Sequence, residues 1–311
     1  MGGAPLAVGH RVVHGGPDLS EPVLVDDEIL AQLEAYAPLA PLHQPNNLAP
    51  IRVIRERRPA IAQVACFDTA FHRSHSDVAD RYAVPEKLYR EGVRRYGFHG
   101  LSYEYIAQRL RQVLPDIATG RIIAAHLGSG VSACAMHHGK SVDSTMGFTA
   151  LEGLPMGTRP GRLDAGVVLW MMEQGMSHDE IEHMLYYDCG MKGLSGISND
   201  MRELLASEAP SARMALQYFA WRVAEGMIGL ACAMNGVDAI VFTAGVGENS
   251  AEIRQAISAH WGWLGIRLDP ERNARHGPRI SSDDSPIGVY VVRTNEELII
   301  AQHTLALLRQ R

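Results

Sequence analysis

The segment that most constrains the fold is 239–250, Ala-Ile-Val-Phe-Thr-Ala-Gly-Val-Gly-Glu-Asn-Ser. Ala239 to Phe242 is a short, continuously apolar run, as expected of a strand covered on both faces. Gly245 and Gly247 predict a sharp turn that lets backbone approach a ligand without side-chain obstruction. Asn249 or Ser250 is placed to cap a following helix, whose apolar positions Ile253, Ala256, Ile257 and Trp261 recur at helical spacing. A strand, a glycine loop and a helix start together present N–H groups and a positive dipole end to an anion, commonly a phosphate. A lone Gly-x-Gly turn is as often a plain tight connection, so its meaning depends on what else the chain supplies.

A second element of the same kind is present. Arg121 to Leu127 reads as a strand that runs into Gly128-Ser129-Gly130. Val131 to His137 and Lys140 to Ser144, separated by His138-Gly139, read as two further antiparallel strands. Ile61 to Phe67 reads as a strand ending at Asp68. Ser102 is expected to cap a helix carrying Ile106, Leu110, Val113 and Leu114 on one face, closed by Pro115. A long helix is expected from about Ser211 to Asn235, ended by Gly236. Ile287 to Arg293 reads as the last strand, and Asn295 starts a C-terminal helix with Glu296 and Glu297 in its first turn. Strands alternating with helices define an α/β chain, and two strand-to-glycine loops can hold opposite ends of a nucleotide.

With 311 residues the chain can bury a large core and is expected to form two domains. A net charge of −6 leaves no basic stripe to neutralise nucleic-acid phosphates. The richest basic run, Arg52 to Arg58, alternates with apolar residues and reads as a solvated helix face. No apolar run approaches the roughly 18 residues needed to span a bilayer, and the N-terminus lacks a signal-peptide pattern. Cys66, Cys134, Cys189 and Cys232 are scattered, and three sit among apolar or small neighbours. That suits reduced, buried thiols in the cytoplasm.

Polar clusters fall at strand ends and in glycine-bounded loops, where function is usually placed. In His10-Arg11-Val12-Val13-His14-Gly15-Gly16 an arginine inside an apolar strand needs a carboxylate or phosphate to meet its fork; a structural ion pair is the plainer reading. Asp68 ends a buried strand, where open α/β sheets collect ligands. His99 stands between glycines just before a helix, Arg159 sits on the turn Gly157-Thr158-Arg159-Pro160-Gly161, and Asn199-Asp200-Met201-Arg202 sets polar groups at a helix start. His72-x-x-His75 has metal-type spacing but lacks the helical His-Glu-x-x-His context of a zinc hydrolase.

Taken in order, His-Arg-Val-Val-His-Gly-Gly, Ala-Pro-Leu-His-Gln-Pro-Asn-Asn, Phe-Asp-Thr-Ala-Phe-His, Arg-Tyr-Gly-Phe-His-Gly, His-Leu-Gly-Ser-Gly, Asp-Ser-Thr-Met-Gly-Phe-Thr, Met-Gly-Thr-Arg, Asn-Asp-Met-Arg, Phe-Thr-Ala-Gly-Val-Gly-Glu-Asn-Ser and Thr-Asn-Glu-Glu cover nearly the whole chain. This series resembles the acetate kinases of the acetate and sugar kinase/Hsp70/actin superfamily. The resemblance implies duplicated actin-like (ribonuclease H-like) α/β domains around an interdomain cleft, usually paired as a homodimer. The first domain would comprise residues 1–72 plus 294–311 and the second 73–293. The implied reaction is reversible in-line transfer of the ATP γ-phosphoryl to acetate, giving acetyl phosphate and ADP, with propionate the alternative acceptor. The resemblance puts Arg11 and Arg159 on the carboxylate and the equatorial oxygens, His99 as a hydrogen-bond donor to those oxygens, and Asp68 in an aligning role. It puts Val13, Leu42, His43, Phe98 and Ala150 around the acetate. It assigns the nucleotide to His126, Leu127, Gly128, Ser129 and Gly130, to Asp200, Met201 and Arg202, and to Gly245, Val246, Gly247, Glu248 and Asn249. Glu296 would help hold Mg²⁺ (or Mn²⁺), through water.

The family usually opens with a strand hairpin bearing Asn-x-Gly-Ser-Ser-Ser-x-Lys, and this sequence contains no such segment. On that reading the first domain lacks its opening strands, as in an N-terminally truncated chain, and a catalytically impaired nucleotide-binding fragment is the alternative to an active kinase. Ser129 stands where the family commonly has Asn, and Ala150 where it usually has Pro beside the acetate methyl. Pro160, Arg162 and Ala165 replace the usual Ser, Asp and Pro.

Overall fold

The structure, a computed structural model, describes residues 5–41 and 43–310. Its strands are β1 (Ala7–Val12), β2 (Val23–Leu24), β3 (Ala62–Phe67), β4 (Arg121–Leu127), β5 (Val131–His137), β6 (Lys140–Ser144), β7 (Ala239–Thr243) and β8 (Gly288–Val291). They form two sheets, with orders β1-β3-β2 and β6-β5-β4-β7-β8. In the first, β1 and β3 run parallel, with Val12 opposite Phe67. In the second, β4, β7 and β8 run parallel, with His126 opposite Thr243 and Phe242 opposite Val291. Both sheets therefore deliver polar loops from the carboxyl ends of parallel strands, the edge at which open α/β sheets bind ligands.

The continuous apolar character of β4 and β7 has a direct cause. Ile123, Ala125, Leu127, Ile240 and Phe242 face one core, shared with Phe219, Val223 and Met227 of the helix Pro210–Gly229. Ile122, Ala124, Ala239 and Val241 face the other, shared with Tyr103, Ile106 and Leu110 of the helix Gly100–Val113. Alternate residues point to opposite faces, and a helix covers each, so the strand interiors are apolar and the polar residues Arg121, His126 and Thr243 fall near strand ends. Emptying the space filled by Phe242, which stacks on buried Trp261 with centroids 6.3 Å apart, would cost about 3–5 kcal/mol.

The first sheet is sandwiched similarly. Val12, Ala65 and Phe67 pack on Leu33, Leu48 and Ile51, while Val64 and Cys66 pack on Leu101 and on Ile299 of the C-terminal helix Glu296–Arg309. That helix crosses β1 so closely that a Cβ on Gly9 would collide with Thr304 and Ile300. The end of the chain thus joins the elements at its beginning, and Glu296 arrives beside Arg11.

Several local expectations change. Ser102 is not a cap: His99 occupies that position with φ 59°, and Ser102 lies inside the helix with its hydroxyl bonded elsewhere. Residues 244–249 are a short helix rather than a glycine turn. The residue with positive φ is Ala244 (65°), and Gly245 and Gly247 have ordinary helical geometry. Ser250, not Asn249, caps the helix Ala251–Ala259, accepting from the Ile253 N–H. The long helix stops at Gly229, continues as a 3₁₀ turn Leu230–Met234, and ends on left-handed Asn235 ahead of Gly236. Cys66 and Cys134 are buried as expected, but Cys189 is only half-buried and Cys232 is exposed; all four are free thiols. Arg52 and Arg55 do lie on a solvated helix face, paired with Glu34 and Asp27. Among the described residues, no helix is long and apolar enough to cross a membrane.

Candidate active site

Arg11, near the carboxyl end of β1, projects its guanidinium between two carboxylates. Its Nε lies 3.1 Å from both oxygens of Asp68, its Nη2 donates to Asp68 Oδ2 at 2.7 Å, and its Nη1 lies 3.0 Å from Glu296 Oε2. The fork is bidentate, the strong geometry for this pair. Asp68 is buried and fixed through its backbone, which donates to the Val12 carbonyl and accepts from the Gly100 N–H at 2.8 Å. The Arg11 pKa rises, chiefly through the charge of Asp68. Burial pushes the Glu296 carboxyl above its ordinary value, opposed by Arg11.

Across from this pair, a second cluster forms on the end of β4. His99 Nε2 and Arg159 Nη2 both converge on Gly130, where a Cβ would sit 3.0 Å from the first and 2.9 Å from the second. Glycine is required here because two polar groups occupy the space of a side chain. Burial pushes the His99 pKa well down, helped by the charges of His126, Arg11 and Arg159, so the imidazole is neutral near pH 7. Its Nδ1 lies 2.8 Å from Ser132 Oγ, which in turn lies 2.5 Å from Tyr103 Oη. With Ser132 donating to Nδ1, Nε2 carries the hydrogen and faces Gly130 as a neutral donor.

Arg159 differs from Arg11. Its Nη1 donates to the Ala150 carbonyl at 2.8 Å, and among the described residues no carboxylate pairs with it. Burial lowers its pKa, as expected for a guanidinium without a counter-charge. An anion entering here meets an uncompensated cation.

Val13 and Phe98 belong to one buried apolar cluster, against which Ala150 packs. His43 is electrostatically within reach of Arg159, Asp68 and Arg11, though burial dominates the lowering of its pKa. These four residues thus adjoin the charged groups. Leu42 lies outside the described residues.

On the nucleotide side, the loops after β4 and β7 are neighbours, since a Cβ on Gly128 would lie 3.7 Å from that of Ala244. The side chains of Leu127 and Met201 point into the core, so these two offer the surface only backbone, and Val246 packs partly against the same core. Gly245 has open space where its Cβ would be. Glu248 Oε1 accepts from the backbone N–H groups of Ala244 and Thr294, both at 2.9 Å, and locks the two loops together. Asn249 donates to the Gly245 carbonyl. Asp200 caps the helix Met201–Ala206 and pairs with exposed Arg202 at 2.5 Å. Ser129 accepts a bond from the Gly157 N–H, tying the β4 loop to the turn that carries Arg159. His126 stacks on His99 with ring centroids 4.1 Å apart and bonds Ser102 Oγ, which in turn bonds Thr294 Oγ1.

Ser102, Ser132 and Tyr103 join the candidate site although sequence reading did not assign them to it. Their signal is a hydroxyl in an otherwise apolar strand or helix face, which must find a partner. Ser132 within Val-Ser-Ala-Cys-Ala is the clearest case.

The residues present suit a hydrated Mg²⁺ at Glu296: one carboxylate oxygen meets Arg11, while the other lies 4.0 Å from His126 Nδ1. A separate cluster with metal-type spacing, His178, Asp179 and Glu182, is largely exposed and does not include Glu296. His72 and His75 do not form a metal site, because both turn a ring nitrogen to the Ser141 hydroxyl at 2.8 Å.

Two sheets presenting polar parallel-strand ends to one another define an α/β protein of the actin-like class. The profile of the Acetokinase family matches residues 5–302. An acetate kinase from Nitrobacter hamburgensis is 62% identical over 309 residues, covering 99% of this chain and 76% of that protein. One from Methylocella silvestris is 54% identical, covering 98% and 76%. The fold superposes on a propionate kinase from Francisella tularensis with a TM-score of 0.92 at 39% identity, covering 96% of this chain and 78% of that one. Against the acetate kinase of Porphyromonas gingivalis the TM-score is 0.89 at 40% identity, covering 97% and 78%. The chain belongs to the acetokinase family.

Proposed function

We propose that this chain is an acetate kinase, transferring the γ-phosphoryl of ATP reversibly to acetate by direct in-line displacement. The observation that carries the reading is the convergence of Arg159 Nη2 and His99 Nε2 on Gly130, facing the Arg11–Asp68 pair. Phosphoryl transfer needs little covalent help from a protein; it needs alignment and charge neutralisation on the transferring oxygens. Arg159 supplies a full charge and His99 a neutral donor for the equatorial oxygens. Acetate is already ionised at neutral pH, so no general base is required. Asp68 accordingly acts by holding Arg11 toward the carboxylate rather than by taking a proton. The methyl group meets Val13, Phe98 and Ala150, with His43 completing the acetate side.

ATP lies along the loops after β4 and β7, with His126, Leu127, Gly128, Ser129 and Gly130 on one wall. Gly245, Val246, Gly247, Glu248 and Asn249 form the other, and Asp200, Met201 and Arg202 lie toward the adenosine. Glu296 would hold Mg²⁺ through water, and the ion supplies neutralisation of the phosphate charge. We take residues 1–72 with 294–311 as the acetate-side domain and 73–293 as the nucleotide domain; packing of the helix Glu296–Arg309 on β1 and β3 supports that division. Closure of the two would exclude water, the competing acceptor.

A homodimer is supported by the helix Ala165–Glu173, where Leu169, Trp170 and Met172 are each more than half exposed and only Met171 is buried. Unpaired free thiols support a cytoplasmic protein. Propionate is the second acceptor, because Ala150 offers less bulk beside the methyl than the proline usual in the family. The test is acetate-dependent conversion of ATP to ADP with trapping of acetyl phosphate as the hydroxamate. Formation of the hydroxamate at enzymatic turnover supports the reading. ATP binding without acetate-dependent ADP release would overturn it in favour of a nucleotide-binding protein.

A further inference from the structure

His99 does its work only if its backbone turn is fixed, and that turn is unusual. His99 has φ 59° and the preceding Gly97 has φ 74°, so the segment passes twice through the left-handed region immediately before a helix. A non-glycine residue held there needs external restraint. The restraint comes from the 3₁₀ turn Ala70–Ser74, which follows Asp68 directly. Its consecutive residues His72 and Arg73 grasp three carbonyls of the approaching segment. Arg73 Nη2 donates to the Arg95 and Tyr96 carbonyls at 3.0 and 2.9 Å. His72 Nε2 lies 2.9 Å from the Phe98 carbonyl, the carbonyl of the peptide bond that leads into His99.

The protonation of His72 is dictated by this contact. A carbonyl only accepts, so Nε2 carries the hydrogen and Nδ1 must accept. Ser141 Oγ, 2.8 Å from Nδ1, therefore donates to it and is free to accept from His75 Nε2, also at 2.8 Å. The hydroxyl acts as a one-way connector that fixes His72 in the tautomer able to hold Phe98. His72 is fully buried, and burial lowers its pKa to about 4, which keeps this neutral arrangement near pH 7. The packing leaves no slack: a Cβ on Gly97 would come within 2.7 Å of the His72 ring.

We infer that His72 is a positioning residue for the phosphoryl-transfer step: through the Phe98 carbonyl it sets the backbone turn that aims His99 at the site beside Gly130. Because the same turn begins at Asp68, whose carbonyl accepts from the Gly100 N–H at 2.8 Å, Asp68 and His99 are held as one unit. The pair His72/His75, which sequence spacing offered as metal-type ligands, thereby acquires a different role. This inference rests on the reading of His99 as a donor to the transferring group.

The test compares His72→Gln with His72→Leu in the full chain. The glutamine amide places an N–H near Nε2, whereas leucine keeps volume and removes the donor. His72→Leu is expected to lower kcat roughly 10- to 100-fold with the KM for ATP unchanged, since small misplacements of a reacting group cost that much. His72→Gln is expected to restore most of kcat. In ¹⁵N spectra of the imidazoles, the His99 resonances should move in His72→Leu and return in His72→Gln. Ser141→Ala, which removes only the connector, should give the same spectral change in part. Full kcat in folded His72→Leu, equal damage in both His72 variants, or unmoved His99 resonances in Ser141→Ala would each overturn the inference. The spectra are independent of turnover, so a wild-type chain without kinase activity would sink the functional reading and leave this one separately readable.

Discussion

The two arginines that face the site are built in opposite ways. Arg11 is neutralised in advance, gripping Asp68 with a bidentate fork and touching Glu296, with two-fifths of its side chain exposed. Among the described residues Arg159 is fastened by a backbone carbonyl and meets no carboxylate, and burial lowers its pKa. A guanidinium already paired can orient a ligand but adds little net charge. An unpaired one exerts nearly its whole charge on whatever anion arrives, and more strongly in a site that excludes water. On the proposed function the difference would divide the labour: the Arg11–Asp68–Glu296 side would align, and the Arg159–His99 side would stabilise the transferring group.

That division is sharpest for Arg159→Ala, where kcat for acetyl phosphate formation is expected to fall on the order of 10³-fold or more, as for loss of a donor or arginine aimed at a transition state. The stability of this variant should be little changed, which thermal unfolding checks. Arg11→Ala is expected to cost about 10²-fold in kcat/KM, expressed largely in KM for acetate. It should also destabilise the fold by about 1–3 kcal/mol, because Asp68 is left buried without its partner. Equal stability losses in the two variants would break the contrast.

A smaller effect concerns acid. Burial lowers the pKa values of His14 and His126 to about 3, His72 to about 4 and His75 to about 2. In the unfolded chain these groups take up protons below about 6.5, whereas in the fold they do not. Their contribution to stability is therefore intact above about 6.5 and is lost as pH falls through that value, by up to roughly 1.4 kcal/mol per group per pH unit. Asp80, Asp143 and Glu296, whose pKa values burial raises, act in the opposite sense nearer the carboxylate range. Denaturant unfolding should thus show a clear loss between about pH 6.5 and 5, and a flat profile there would contradict neutral burial of these histidines. The smallest effect is at Ala150. One methylene in an apolar pocket is worth about 1–3 kcal/mol, or roughly 10- to 200-fold; with Ala150 in place of proline, acetate should be preferred over propionate near the low end of that range, and Ala150→Pro should widen the ratio.

Much of this was legible in the sequence, for reasons visible at particular residues. The bounds of β4 and β5 agree with the apolar runs because a strand covered by helices leaves little room for polar residues in its interior, and the His138-Gly139 turn marks where β6 begins. Arg11, Asp68, His99 and Arg159 were findable because each departs from its local pattern at a strand end or glycine turn. The glycine segment 244–249 misled because the glycines sit in a helix, and the left-handed position falls on Ala244, where nothing in the sequence marks it. Ser102 looked like a cap because hydroxyls usually serve that purpose; its real partners are His126 in β4 and Thr294 in the segment after β8, both distant in sequence. Glu248 and Thr294 both fall within family motifs, but nothing in those motifs marks the bond that joins them across the fold.

The measurement that tests the central claim most directly is a double-mutant cycle on kcat for acetyl phosphate formation, using Arg11→Ala, Arg159→Ala and the double variant. If an aligning arginine and a charge-stabilising arginine serve one transferring phosphoryl group, the double variant should lose far less than the product of the two single losses. Strictly multiplicative losses, or an Arg159→Ala effect confined to KM, would show that the two guanidinium groups do not act on the same transition state.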